Sequence, residues 1–216
     1  MLHKTRDLLV RQRTMLINAL RGHLSEFGIV SAQGSAGVQP ALRSLILEQE
    51  RLPELAQAAL RGLAGLLEAL RAEIEGLEHR ILAWHRQDAT SRRLATIPGI
   101  GPITASARAA SAPGPALFRS WRQFAAWLGL TPRAHSSGGK ERQAGISKMG
   151  DGYLRRLLVV GATAVLRMAR QRGTRGPWIR GLLDRKKPKA AAVALAGLGF
   201  EATQVVEDFG GASVRI

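Results

Sequence analysis

Residues 56–84 read AQAALRGLAGLLEALRAEIEGLEHRILAW, and their spacing decides the fold. Ala56, Leu60, Leu63, Leu67, Leu70, Ile74, Leu77, Ile81 and Trp84 alternate steps of four and three. A seam of that period keeps one apolar stripe along a helix and suits packing on a second helix. Leu66 and Leu82 widen the stripe, while Glu68, Arg71, Glu78 and Arg80 are expected on the exposed side. Pro53 suits the first turn of this helix. Upstream, Leu2 to Glu26 reads as an amphipathic helix carrying Leu8, Leu9, Arg13, Leu16, Ile17, Leu20 and Leu24 at helical spacing. Gly28 and the run Ser31–Gly37 break it, and Ala41 to Leu52 reads as a short helix. The expectation is an antiparallel helical hairpin that also contributes to a homo-oligomer. A coiled coil between chains, or a plain core helix, explains the same pattern.

Downstream the period stays helical. Thr90 to Pro115 is punctuated by Gly and Pro, and Trp121 to Leu130 reads as a short helix. Thr131 to Gly152 reads as a Ser/Gly/Lys-rich loop, and Tyr153 to Arg172 as a long helix. Its apolar face is Leu154, Leu157, Leu158, Gly161, Ala162, Val165, Leu166 and Ala169. Ala190 to Gly199 starts as an Ala-rich helix, and Phe200–Ile216 loses the pattern. No strand of the alternating kind is convincing. The fold class expected is mainly α: a long helical hairpin or coiled coil over residues 1–90, then a compact helical DNA-binding domain over 91–190. Residues 191–216 form a divergent tail.

Charge separates these regions. Of the net +16, residues 91–190 carry 20 Lys+Arg against 3 Asp+Glu, a net of +17, while residues 1–90 are almost balanced. So concentrated a positive field favours a polyanion, because each phosphate contact releases counterions. A solvated basic surface is the plainer alternative. The chain has no cysteine, which excludes disulfides, thiolate catalysis and Cys-ligated zinc. No apolar run approaches the roughly 18–20 residues that span a bilayer, and Met1 to Arg13 lacks a signal-peptide core. The expected setting is cytoplasmic and nucleoid-associated, with no membrane partner.

Three segments carry the chemistry. Ile97–Ala105, IPGIGPITA, ends one helix, turns on two glycines and starts another at Pro102. Ile97, Ile100 and Ile103 pin the turn to a core. Gly99 and Gly101 let a phosphate approach the backbone, and the next helix offers amides to the anion. This reads as a helix–hairpin–helix grip using Pro98, Gly99, Gly101 and Thr104, with a plain tight turn as the alternative. Leu128–Lys140, LGLTPRAHSSGGK, sets adjacent serines before two glycines and a lysine. A serine hydroxyl needs orientation and charge stabilisation to act as a nucleophile. His135, Arg133, Lys140 and Arg142 are of the right type, though a Ser/Gly loop by itself is usually just a loop. The Walker A spacing is absent. Ile146–Leu158, ISKMGDGYLRRLL, offers Asp151 as a helix cap, with Lys148, Arg155 and Arg156 around that helix start. Between 91 and 190 the carboxylates are Glu141, Asp151 and Asp184, too few and too scattered for a two-metal centre. No metal site and no cofactor is expected in this chain.

In this order the segments IPGIGPITA, FAAWLGLTP (Phe124–Pro132), HSSGGK (His135–Lys140) and ISKMGDGYLRRLL resemble the C-terminal transposase domain of the IS110/IS1111 insertion-sequence family. Leu2 to Asp88 is similar to that family's connecting coiled coil. The resemblance implies a DNA recombinase that moves an insertion element, guided by a structured RNA and working as a multimer. It implies a serine nucleophile at Ser136 or Ser137 that links covalently to a DNA phosphate. It also implies an N-terminal RuvC-like domain whose three aspartates and one glutamate bind Mg2+, and which would precede Met1. The tail after Gly197 does not resemble the family. The expectation is therefore an incomplete transposase. A noncatalytic DNA-binding fragment, or a regulatory one that docks on a full-length transposase, is the alternative.

Overall fold

The computed structural model describes residues 1–30, 52–111, 117–134, 143–172 and 177–197. The chain is mainly α and divides into two units, Met1–Ile81 and Leu82–Ile216. Its elements are α1 (Leu2–Glu26), α2 (Glu54–Gln87), α3 (Ala89–Leu94), α4 (Pro102–Ser111), α5 (Trp121–Trp127), β1 (Pro132–Ala134), β2 (Gln143–Ile146), α6 (Gly152–Arg172) and α7 (Pro177–Arg185). An eighth helix, α8, covers 188–197.

The first unit is the expected antiparallel hairpin. Leu16, Ile17, Leu20 and Leu24 of α1 pack with Leu52, Leu60 and Leu67 in one apolar cluster, joined by Leu63 and Leu70. At its other end Arg6 Nε and Nη2 both donate to Glu78 Oε1, at 2.8 and 2.5 Å. An early residue of α1 thus meets a late residue of α2, so the helices run in opposite directions. Glu78 was expected to face solvent; it instead reaches across to Arg6. Leu60, Leu67, Ile74, Leu77 and Ile81 are buried, as the seam requires, whereas Trp84 is 41% exposed. Pro53 sits one residue before the expected first turn: its carbonyl accepts the first helical bond, from Gln57 N at 3.0 Å. The Ala41–Leu52 helix falls almost wholly outside the described residues.

The second unit packs α3 to α8 around one core. Leu94, Ile97, Ile100, Phe124, Leu128, Leu154, Leu158, Leu166, Leu182 and Ala192 share it. Phe118, Phe124 and Trp127 form an aromatic knot, with Phe118 edge-on to Phe124 at 5.4 Å. Arg108 is buried with its guanidinium 5.0 Å from the Phe124 ring centroid. One local reading is corrected. The span from Thr131 to Gly152 is more than a loop, because β1 and β2 pair antiparallel within it, Pro132 opposite Ile146 and Ala134 opposite Gln143. Three steps on β2 face two on β1, a bulge of one residue. Strands this short carry no alternating signature, so hydrophobic period does not reveal them.

Candidate nucleic-acid interface

The site lies within the second unit, and its first part is the turn between α3 and α4. Asp88 caps α3 by accepting from Ser91 N at 2.6 Å. After Leu94 the chain turns through Ile97-Pro98-Gly99-Ile100, closed by Ile100 N to Ile97 O at 3.0 Å. Pro at the second position and Gly99 with φ +85° at the third are the residues a type II turn demands. Ile97 and Ile100 are buried, as expected, and Ile103 is partly so.

The two glycines of this turn have different jobs. A Cβ on Gly99 would lie 2.9 Å from both Gly161 O and Val165 Cγ2. Gly99 therefore gives its space to α6, where Gly161 offers a matching gap. Gly101 meets nothing within 4 Å and is exposed, as is Pro98. Thr104, also expected at the grip, is 7% exposed. The surface a ligand could approach is thus Pro98, Gly101 and Pro102, with Gly99 turned inward.

The second part is the base of the serine loop. Helix α5 ends in a Schellman cap, with Leu130 N donating to Ala125 O at 2.8 Å and Gly129 N to Ala126 O at 2.9 Å. Gly129 (φ +70°) and Gly150 (φ +88°) then interlock the end of α5 with the segment that follows β2. A Cβ on Gly129 would strike the Met149 backbone, and one on Gly150 the Trp127 carbonyl. Ser147 N donates to Thr131 O at 2.8 Å and Lys148 N to Gly129 O at 3.0 Å, which continues the ladder below β1 and β2.

Two of the expected DNA-binding arginines are engaged inside this base. Arg133 donates to Ser147 O through Nη2 at 2.6 Å and Nε at 3.2 Å, crossing from one strand to the other. Arg155 Nη1 donates to Leu128 O at 2.6 Å and Met149 O at 3.1 Å. Asp151 caps α6, accepting from Tyr153 N at 2.9 Å and Leu154 N at 3.0 Å. Lys148 is exposed with φ 58°, a left-handed conformation rare for a residue with a side chain. Arg156 is exposed, its guanidinium 6.0 Å from the Tyr153 ring centroid.

Ser136, Ser137, Lys140, Arg142 and His135 lie outside the described residues. The structure does describe what they are hung from: residues 135–142 join Ala134 to Gln143, which face each other across the ladder. The α3–α4 turn and this base share one support. Gly161 lies ten residues beyond Asp151 on α6, roughly 15 Å along its axis. Among the described residues there is no group of three or more His, Asp or Glu placed to hold a metal ion. The brace by Arg133 and Arg155 was missed at the level of sequence. Leu128-Gly129-Leu130 after an apolar helix carries the Schellman signal that could have located one side of it.

With this geometry in place, likeness to known proteins can be read. Residues 91–176, which contain both parts of the site, match the model of the IS116/IS110/IS902 family of transposases. Residues 91–176 carry that family's transposase domain. It is 46% identical over 198 residues to a putative transposase of Sinorhizobium fredii, covering 91% of this chain and 51% of the relative. It is 47% identical over 198 residues to a probable family 20 transposase of Pseudomonas aeruginosa, covering 90% and 59%. The IS1111A transposase of Coxiella burnetii is 38% identical over 197 residues, covering 89% and 54%. The chain thus spans about half the length of the curated relatives it matches. Among the described residues no helix is long and apolar enough to cross a membrane.

Proposed function

We propose that this chain is the DNA-handling part of a transposase, in which the α3–α4 turn grips the phosphate backbone and a serine of the loop attacks a phosphodiester. The observation that carries this is the braced hairpin base. A nucleophile must be held in a narrow range of positions, and two arginines, two interlocked glycines and a capped helix fix both ends of the segment bearing Ser136 and Ser137. In the step proposed, a bond forms between one serine Oγ and phosphorus as the P–O bond to the leaving strand breaks. The proton lost by the serine is balanced by the one taken up by the leaving hydroxyl. Lys140 and Lys148 supply charge to the phosphate, and Arg142 and Arg156 extend the contact. Arg133 and Arg155 act on the loop base.

DNA is the substrate in this reading, a structured RNA guides it, and several copies of the chain assemble at the element ends. The test is a denaturing gel after incubation with element-end duplex, with the chain alone and with the remaining segment of a full-length relative supplied in trans. A covalent protein–DNA adduct lost in either Ser136→Ala or Ser137→Ala is expected. No adduct under either condition would leave only a noncatalytic binding module.

A further inference from the structure

The strongest charged patch outside these motifs is the junction of α7 and α8. Arg185, Lys186, Lys187 and Lys189 place four cations in five residues, outside the stretch 91–176 that matches the family model. All four are exposed, as are their neighbours Asp184, Pro188 and Ala190.

Folding explains only some of them. Arg185 ends the last turn of α7 and Lys186 follows it, where a cation is favoured by the helix dipole, and Arg185 Nε donates to Gly181 O at 2.9 Å. Lys187 and Lys189 stand at the opposite kind of helix end. Ala191 N donates to Lys187 O at 3.0 Å, so Lys187 occupies the cap position of α8. A lysine has no acceptor to offer there, and cations at the positive end of a helix repel it. The helix is held instead by its inner face, where Ala191, Ala192 and Ala196 are buried in the core. These lysines therefore oppose the local electrostatics of the fold, and their mutual repulsion is relieved when an anion covers them.

We infer that the Arg185–Lys189 ridge is a second backbone-contact surface for duplex DNA, separate in sequence from the α3–α4 turn and the serine loop. Charge complementarity identifies the occupant as a phosphate chain. Three of the four cations are lysines, point charges suited to sequence-independent phosphate contact rather than to paired reading of base edges. A single strand would be gripped by aromatic stacking as well. Among the described side chains from Ile179 to Gly197 there is no aromatic residue. The inference rests on the proposed DNA-handling function but not on the serine chemistry.

The test uses the full chain and a 30-base-pair duplex of arbitrary sequence, with binding followed by anisotropy from low to moderate salt. Lys186→Gln, Lys187→Gln and Lys189→Gln are combined in one variant. Lys4→Gln, Arg61→Gln and Arg80→Gln, exposed in the first unit, make a variant of equal net charge. Each lost phosphate contact lowers the slope of log affinity against log salt by about 0.9, so the ridge variant should lose about two to three in slope. Unrelated duplexes should lose affinity alike, the control variant should keep the wild-type slope, and the ridge variant should melt no lower than wild type. Equal losses in both variants would reduce the effect to net charge and overturn the inference. An unchanged slope in the ridge variant would overturn it too, as would weakened binding of an RNA duplex with DNA binding intact. If wild type itself shows no salt-dependent DNA binding, the function proposed above fails with it.

Discussion

Replacing Gly161 by alanine sets a helix-propensity gain against a backbone collision. In an open helix interior, Gly→Ala is worth about 1 kcal/mol in favour of folding. In α6 the new Cβ would fall 1.9 Å from the Gly99 carbonyl oxygen and 3.0 Å from its carbon. A relaxed C···O approach is roughly 3.3 Å or more, so the α3–α4 turn must retreat by over an ångström. It has little room to do so, because Ile97 and Ile100 on either side are 4% and 7% exposed in the core. Overpacking of this kind costs about 1–3 kcal/mol, and a carbonyl of a hydrogen-bonded turn yields less than a side-chain tip. Taking the upper half of that range, about 2–3 kcal/mol, against the propensity gain leaves a net loss of about 1–2 kcal/mol, a fall of roughly 3–8 °C in melting temperature for a unit of this size. Trp84, Trp121, Trp127 and Trp178 all belong to the second unit, so tryptophan fluorescence during urea or thermal unfolding reports on it. Gly101→Ala is the counterpart, since its Cβ meets open space and its φ is not left-handed; its stability should stay within about 1 kcal/mol of wild type or rise. A Gly161→Ala protein as stable as wild type would refute the reasoning, because the turn could then not be seated on α6.

Asp151→Ala should cost about 1 kcal/mol by uncapping α6, with Asp151→Asn recovering most of it in the same unfolding assay. Lys148→Gly should separate stability from binding: relief of the left-handed backbone leaves the folding stability equal or up to about 1 kcal/mol better. Its affinity for duplex DNA should nevertheless fall severalfold. His3 is held down to about 4 by burial first, then by Arg6 and the terminal amine. A lowered histidine pKa means that the unfolded chain takes up the proton first. Stability of the α1–α2 hairpin is therefore full above pH 6.5 and declines as pH falls from 6.5 towards 4. A shift that large is worth about 3 kcal/mol in a dry site, and solvent screening at a half-buried position cuts it to about 1–2 kcal/mol. Circular dichroism melts of wild type and His3→Gln across that pH range should converge at neutral pH and diverge below it, and parallel curves would show that His3 is not the group responsible.

What the sequence made legible depended on period and punctuation. The α2 seam was readable because nine apolar positions hold one rhythm, and burial of Leu60, Leu67, Ile74, Leu77 and Ile81 follows it. The limits of α1, the start of α4 at Pro102 and the Asp151 cap were readable because caps, prolines and glycines act locally. The β1–β2 hairpin was not, since three and four residues offer no period and their pairing depends on partners a dozen residues away. Glu78 was assigned to solvent because a heptad shows which residues flank the seam, not which of them finds a cation on the facing helix. Gly99 was recognised as necessary at the turn, but a sequence shows only that a side chain is disfavoured there, whereas the fold shows that one would strike α6.

The same distinction bears on how charge is counted. A net of +17 over residues 91–190 suggests many phosphate contacts, yet a cation can serve phosphate only with the donors it does not spend on its own chain. Arg108 is buried against Phe124, Arg133 gives two donors to Ser147 O, and Arg155 bridges Leu128 O and Met149 O. Guanidinium suits this work because its planar fork reaches two acceptors at once, which an ammonium cannot do with the same geometry. The lysines are disposed differently: Lys148 beside the hairpin base, Lys186 and Lys187 between α7 and α8, and Lys189 in the first turn of α8 are all exposed. In this unit several arginines build the frame while the described lysines face outward. The slope of DNA affinity against salt should accordingly track substitution of these lysines, whereas loss of Arg133 or Arg155 should act first on the base that carries Ser136 and Ser137.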